Sequence, residues 1–272
     1  MTALRPVVLI TGASSGIGAA LARVFAGRGH EPVLVGRREA QLNALADELA
    51  GKGQNRPLVI PMDLTRVDAP VRIGHELGAR GLEPEIVVNN AGYGLVGRAV
   101  ELDRADQLAM IDLNVRALSD LSLRFIENLA RHRGGILNIA SVSAFLPGPG
   151  MAIYHATKAY VVSFSEALHT ELAPMGIRVT AVCPGPVLTE FQARAGMDET
   201  QLPRFLLQSA ESVAQQAYDG LMRGKRVVVP GWGNQLVRFM VQAAPRRVLL
   251  NATDASMKGR QKASAPRWPK RT

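Results

Sequence analysis

The chain has 272 residues, 47% of them hydrophobic, and a formal net charge of +9. Eight Lys/Arg against a single acid, Asp254, fall in residues 246–272, so the body is nearly neutral and gains nothing for nucleic-acid binding. One cysteine, Cys183, excludes an intramolecular disulfide framework, and its apolar setting "VTAVC" reads as a buried structural thiol.

In chain order, strand-length apolar runs occur at 7–11, 32–36, 57–61, 86–90, 135–141, 177–183 and 226–230. They are continuously apolar rather than alternating, as strands buried on both faces should be. Helical periods lie between them at 15–29, 38–53 and 103–133, and from Tyr154 to about residue 173. This alternation predicts an α/β fold: a doubly wound, Rossmann-like parallel sheet of about seven strands with a C-terminal helical extension. Without a Pro/Gly/Ser-rich divider, one domain over 1–250 is expected, then a flexible basic tail over 251–272. No apolar run reaches the ~18 residues that span a bilayer. The N-terminus does not read as a signal peptide, so a cytoplasmic location is expected.

After the first strand comes "TGASSGIG" (11–18), in which Gly12, Gly16 and Gly18 open a helix. Such a turn lets backbone N–H groups approach a pyrophosphate at a helix N-terminus. The second strand ends in "GRR". Where a site selecting a ribose 2′-hydroxyl would offer a carboxylate, Arg37 and then Arg38 would attract a 2′-phosphate, which predicts NADP(H). In "AIYHATKAY" (152–160), Tyr154 and Lys158 are four residues apart and share a helix face. A nearby ammonium favours phenolate, so Lys158 is expected to pull the tyrosine pKa below its usual 10. Alone, this pair is common by chance; its company makes it an acid/base candidate.

Together these segments resemble the short-chain dehydrogenase/reductase family, over roughly residues 6–230. The glycine loop, with Ser14, Ser15 and Ile17, is similar to that family's cofactor loop. "NNAG" (89–92), with Asn90, Ala91 and Gly92, resembles the motif after its fourth strand. Asp63, followed by Leu64, matches the acid that receives the adenine amino group. "PGPVLT" (184–189), with Pro184, Gly185, Val187 and Thr189, resembles the loop closing over the nicotinamide. Asn114, Ser141, Tyr154 and Lys158 match the catalytic tetrad. The resemblance implies an NADPH-dependent reductase in which Tyr154 protonates a carbonyl oxygen, Ser141 polarises it, Lys158 binds the ribose, and Asn114 holds a relay water. Subgroup likeness at 222–250 points towards ketoacyl reductases and hydroxysteroid dehydrogenases.

Segment 187–210 is long for a connection and reads as a lid. Its apolar residues, including Phe191 and Phe205, together with Phe145, Ser141 and Tyr154, suggest a small hydrophobic carbonyl substrate, or else merely pack the segment. Leu236, Phe239, Met240 and Ala243 form one helical face, read as covering the cleft or a second copy in preference to a membrane surface. Leu108, Ile111, Leu118, Leu121, Val161, Phe164 and Leu168 are compatible with a homodimer, a tetramer also being open. No metal site is expected. Alternatives are an alcohol dehydrogenase working in the oxidising direction, a non-catalytic NADPH-binding protein, and a membrane-surface scaffold.

Overall fold

The computed structural model describes residues 4–51, 55–187 and 206–261. Seven parallel strands form one sheet in the order β3-β2-β1-β4-β5-β6-β7. They are β1 (Arg5–Thr11), β2 (Pro32–Gly36), β3 (Leu58–Pro61), β4 (Leu82–Asn89), β5 (Gly135–Ile139), β6 (Arg178–Val182) and β7 (Val227–Val228). The doubly wound parallel sheet read from the sequence is therefore present, and the strand order reverses direction on either side of β1.

The inner strands β1, β2, β4, β5 and β6 bury both faces along most of their length, which is why their sequences show no alternation, whereas the edge strands β3 and β7 are partly exposed. Val8 and Ile10 of β1 face α1 (Gly16–Gly27), α2 (Glu39–Ala50) and α8 (Ala210–Met222). Val7 and Leu9 face the layer of α3 (Ala69–Gly78), α5 (Leu118–Arg124), α6 (Ile126–Arg131) and α7 (Ala152–Leu172). Cys183 is fully buried, and burial pushes its thiol up to about 12, so it stays protonated and inert.

The structure departs from the sequence reading in several places. The helical stretch at 103–133 is not one helix: α4 (Arg104–Ile111) opens into a π-helix at Asp112–Ala117, then α5, then α6 after a break at Phe125. Strand β4 begins at Leu82, ahead of the expected 86, and takes in Glu83, Pro84 and Glu85. Its register with β1 shifts between Val7 and Val8, which accommodates the proline. Leu118, Leu121, Val161 and Leu168 belong to the chain's own core and are unavailable for pairing with a second copy; Leu108 and Ile111 are exposed. The apolar face of α9 (Trp232–Ala243) is not covered within the described residues, and Phe239 is 71% exposed. A further helix, α10, spans Arg246–Gln261. Among the described residues no helix is long and apolar enough to cross a membrane.

Candidate active site

The glycine loop and the loop after β4 are latched together. Gly12 (φ 66°) and Gly16 (φ 54°) take the left-handed backbone that glycine adopts without strain. Gly18 serves closeness instead: a Cβ there would lie 2.3 Å from the Gly12 carbonyl oxygen and 2.5 Å from Asn90 Nδ2. Asn90 Nδ2 donates to the carbonyls of Thr11 (2.9 Å) and Gly12 (3.2 Å). Thr11 Oγ1 donates to Val88 O and accepts from the backbone N–H groups of Asn90 and Ala91. Thr11 was not singled out in the sequence, although its place as the last strand residue before the glycine is a readable signal.

Both arginines border the same cleft. Arg38 folds back onto the glycine loop, donating from Nε and Nη2 to Ser14 Oγ (3.2 and 3.1 Å) and from Nη2 to Ser15 Oγ (2.6 Å). Ser15 stands at the N-cap of α1 yet makes no side-chain cap bond. The first-turn amides are therefore left for another acceptor. Arg37 is exposed at the rim. Asp63 is held below the ordinary carboxylate range, first by the Thr65 backbone N–H donating to it and also by the charge of Arg37.

The four residues matching the tetrad converge from separate elements. Tyr154 and Lys158 stand in the first two turns of α7, both buried, with Nζ 5.8 Å from the centre of the phenol ring. Ser141 caps the 3-10 turn Val142–Phe145, accepting from Ser143 N and donating to Ser143 Oγ, both at 3.1 Å. Asn114 lies in the π-helical turn and exchanges bonds with the Tyr93 backbone in both directions, while donating to Thr157 Oγ1 at 3.1 Å. A side chain on Gly92 would begin 3.0 Å from Asn114 Oδ1 and 3.4 Å from Lys158 Nζ. That residue must therefore be small for the two groups to sit together.

The electrostatics differ from the expectation. Burial pushes Tyr154 up to about 12, against a hydrogen bond with Ser141 that pulls it down. Burial brings Lys158 down to about 8, and its Nζ donates to Ile139 O at 2.8 Å. The ammonium addresses a carbonyl rather than the phenol oxygen, so desolvation wins over the charge attraction expected from i,i+4 spacing. At neutral pH the tyrosine is a protonated phenol, the state in which it can serve as an acid.

A cleft of about 830 Å³ runs past these groups. It is lined by Gly12, Ser14, Ser15, Gly16, Ile17, Arg37, Arg38, Asp63, Leu64, Asn90, Ala91, Gly92, Ser141, Tyr154, Lys158, Pro184, Gly185 and Val187. Gly18 and Asn114 stand behind the wall. Phe145, expected against substrate, is not among its lining residues: it packs against the small core cluster that contains Val161, Cys183 and Val229, and its ring lies under the Arg238 guanidinium at 5.0 Å. Thr189, Phe191 and Phe205, and with them most of the expected lid, lie outside the described residues.

The family model described as short chain dehydrogenase matches residues 6–200. Sulfoacetaldehyde reductase 2 of Chromohalobacter salexigens is 38% identical over 197 residues, 71% of this chain and 77% of that one. A short-chain dehydrogenase from Sphingobium yanoikuyae, solved in complex with NADPH, superposes with a TM-score of 0.76 at 34% identity over 98% of each chain. The Comamonas testosteroni alcohol dehydrogenase described as specific for bulky-bulky ketones superposes with a TM-score of 0.72 at 30% identity, over 99% of this chain and 98% of that one. The chain belongs to the short-chain dehydrogenase family. It is an oxidoreductase acting on CH–OH and C=O groups.

Proposed function

We propose that the chain is an NADPH-dependent reductase of a mainly hydrophobic ketone, aldehyde or acyl carbonyl. NADP(H) is its cofactor, and the residues present fit it. A cleft of about 830 Å³ is within the range of cofactor sites. Uncapped helix amides beside the glycine turn suit a pyrophosphate, and two guanidinium groups at the end of β2 suit a 2′-phosphate. When bound, the nicotinamide supplies hydride to the carbonyl carbon.

The observation that carries the reading is a buried, protonated Tyr154 beside Ser141 and Lys158 on the wall of that cleft. Tyr154 gives its proton to the carbonyl oxygen, so the C=O bond becomes CH–OH. Ser141 holds the same oxygen as negative charge develops on it. The Lys158 ammonium, mostly protonated at neutral pH, offsets the phenolate left behind. The phenolate is reprotonated through Lys158, which gives up an ammonium proton and regains one from a water held by Asn114. The hydrophobic preference is supported by Tyr93 and Leu95 along the cleft, and by the bulky ketones of the Comamonas enzyme. A cytoplasmic location and a homodimer complete the proposal, with exposed Leu108, Ile111 and Tyr160 offered to a second copy.

Consumption of NADPH with a panel of hydrophobic ketones tests it. Tyr154→Phe is expected to lose about 10²–10⁴-fold in rate while binding NADPH as before. A variant as fast as the wild type, or a wild type inert towards the whole panel, would sink the proposal.

A further inference from the structure

Asn234, in the first turn of α9, is 1% exposed and far from the tetrad in sequence. A fully buried amide must find partners, so its bonds report its role. Its Nδ2 donates to Pro230 O at 2.9 Å and to Leu206 O at 3.3 Å. The amide also lies flat against Gly185. A Cβ built on Gly185 would stand 2.2 Å from Asn234 Oδ1 and 2.6 Å from both Cγ and Nδ2. Gly185 does not have a positive φ, so its backbone alone would accept alanine. What excludes a side chain there is Asn234.

Gly185 belongs to the cleft wall, with Pro184 and Val187. The flanks of that wall are tied elsewhere: Val142 N donates to Pro184 O at 3.0 Å, next to Ser141, and Gln208 N donates to Pro186 O at 3.1 Å. Gln208 also pairs with Val187 and packs against Gly231, where a Cβ would meet its Nε2 at 2.5 Å. Segments 184–187, 206–208 and 230–234 thus meet around one amide. The three atoms nearest a Cβ at Gly185, in the middle of the wall, all belong to Asn234.

We propose that Asn234 is a positioning residue for the reductase reaction. By seating its amide on Gly185 it sets how far the 184–187 wall stands from Tyr154 and Lys158, and hence how closely the dinucleotide is held. This rests on reading the cleft as the NADP(H) site. It assigns to α9, a helix that touches none of the reacting groups, a share in cofactor affinity.

The test is a double-mutant cycle on the full-length protein. NADPH affinity is read by nicotinamide fluorescence, kcat at saturating NADPH on a ketone the wild type turns over, and thermal midpoint as the control for folding. Gly185→Ala is expected to weaken NADPH at least tenfold, because alanine must push the wall or the amide away. Asn234→Ala is expected to weaken it three- to tenfold and to lower kcat. Gly185→Ala/Asn234→Ala is expected to bind at least fivefold tighter than Gly185→Ala alone, since the colliding amide is gone. Asn234→Ser, which keeps a donor in a smaller side chain, repeats the measurement if the alanine variant folds poorly. Factors that simply multiply in the double variant would overturn the proposal. So would an Asn234 variant with a lowered thermal midpoint but wild-type NADPH affinity and kcat, which leaves Asn234 a packing residue. A wild type that binds no dinucleotide at all would instead refute the reading of the cleft, and is recognised before any variant is made.

Discussion

Lys158 should leave a measurable mark on the pH dependence of stability when no cofactor is bound. Its ammonium is 5% exposed, and burial brings it from 10.5 to about 8. Between those values the unfolded chain holds a proton that the folded chain has released. Stability contributed by this group therefore rises with pH through the window from about 8 to 10.5, and is lost again as pH falls through about 8. At about 1.4 kcal/mol per tenfold, the full window corresponds to about 3 kcal/mol, of which about 2 kcal/mol falls between pH 7 and 9.5. Lys158→Met keeps the length of the side chain and removes the titration. Urea unfolding of both proteins across that range, without NADP(H), isolates the effect, because Tyr154 and Cys183 titrate in both. The variant is expected to have its greatest advantage over the wild type at pH 7 and to lose about 2 kcal/mol of it by pH 9.5. A difference that stays flat, or that moves the other way, would refute the claim that desolvation governs this lysine.

Arg38→Ala removes a guanidinium that holds both loop serines; it is expected to weaken NADPH by about 10–100-fold, the range of a charged hydrogen bond, and NADH far less. Parallel fluorescence titrations decide it, and equal losses for both cofactors would deny Arg38 the 2′-phosphate. Gly18→Ala would drive a methyl into the Gly12 carbonyl, so a loss of about 1–3 kcal/mol in urea unfolding is expected, together with loss of NADPH binding. Burial raises Glu83, but bonds from Arg131, Asn128 and His132 outweigh it and hold the carboxylate at about 2. Glu83 therefore contributes stability above pH 4.5 that is lost as pH falls from 4.5 towards 2, and Glu83→Gln should cost about 1–3 kcal/mol at pH 7 with the gap closing in acid. Unchanged acid unfolding in that variant would remove Glu83 from the account.

The strands and the glycine turn were legible because their causes are local: a doubly buried strand is apolar throughout, and Gly12 and Gly16 stand where φ is positive. Strand β4 was read short because Glu83, Pro84 and Glu85 look unlike a buried strand. Only α6, which brings Asn128 and Arg131 with His132 just beyond its end, makes room for Glu83 there. The helix over 103–133 kept its apolar period while the backbone widened into a π-turn, a change of hydrogen-bond partner that leaves the pattern intact. The downward shift expected for Tyr154 failed for a similar reason: spacing brings two side chains together, but the depth of burial and the carbonyl of Ile139 come from the sheet. Asn234 carries no motif, and its contact with Gly185 exists only once α9 returns to the sheet.

The cleft draws one wall from the first turn of the chain, and its opposite wall, at Gly185, is backed by Asn234 of α9. Gly12 and Asn234 are roughly 220 residues apart, which is about 10–45 s of synthesis at about 5–20 residues per second. The sheet can grow outward from β1 as strands leave the ribosome, because β1 is central and β7 is its last edge. The wall at Gly185 is completed only when α9 arrives. A chain truncated before α9 would then keep the glycine-loop side of the cleft without the backing of Gly185, and on the proposed reading would hold a dinucleotide less tightly.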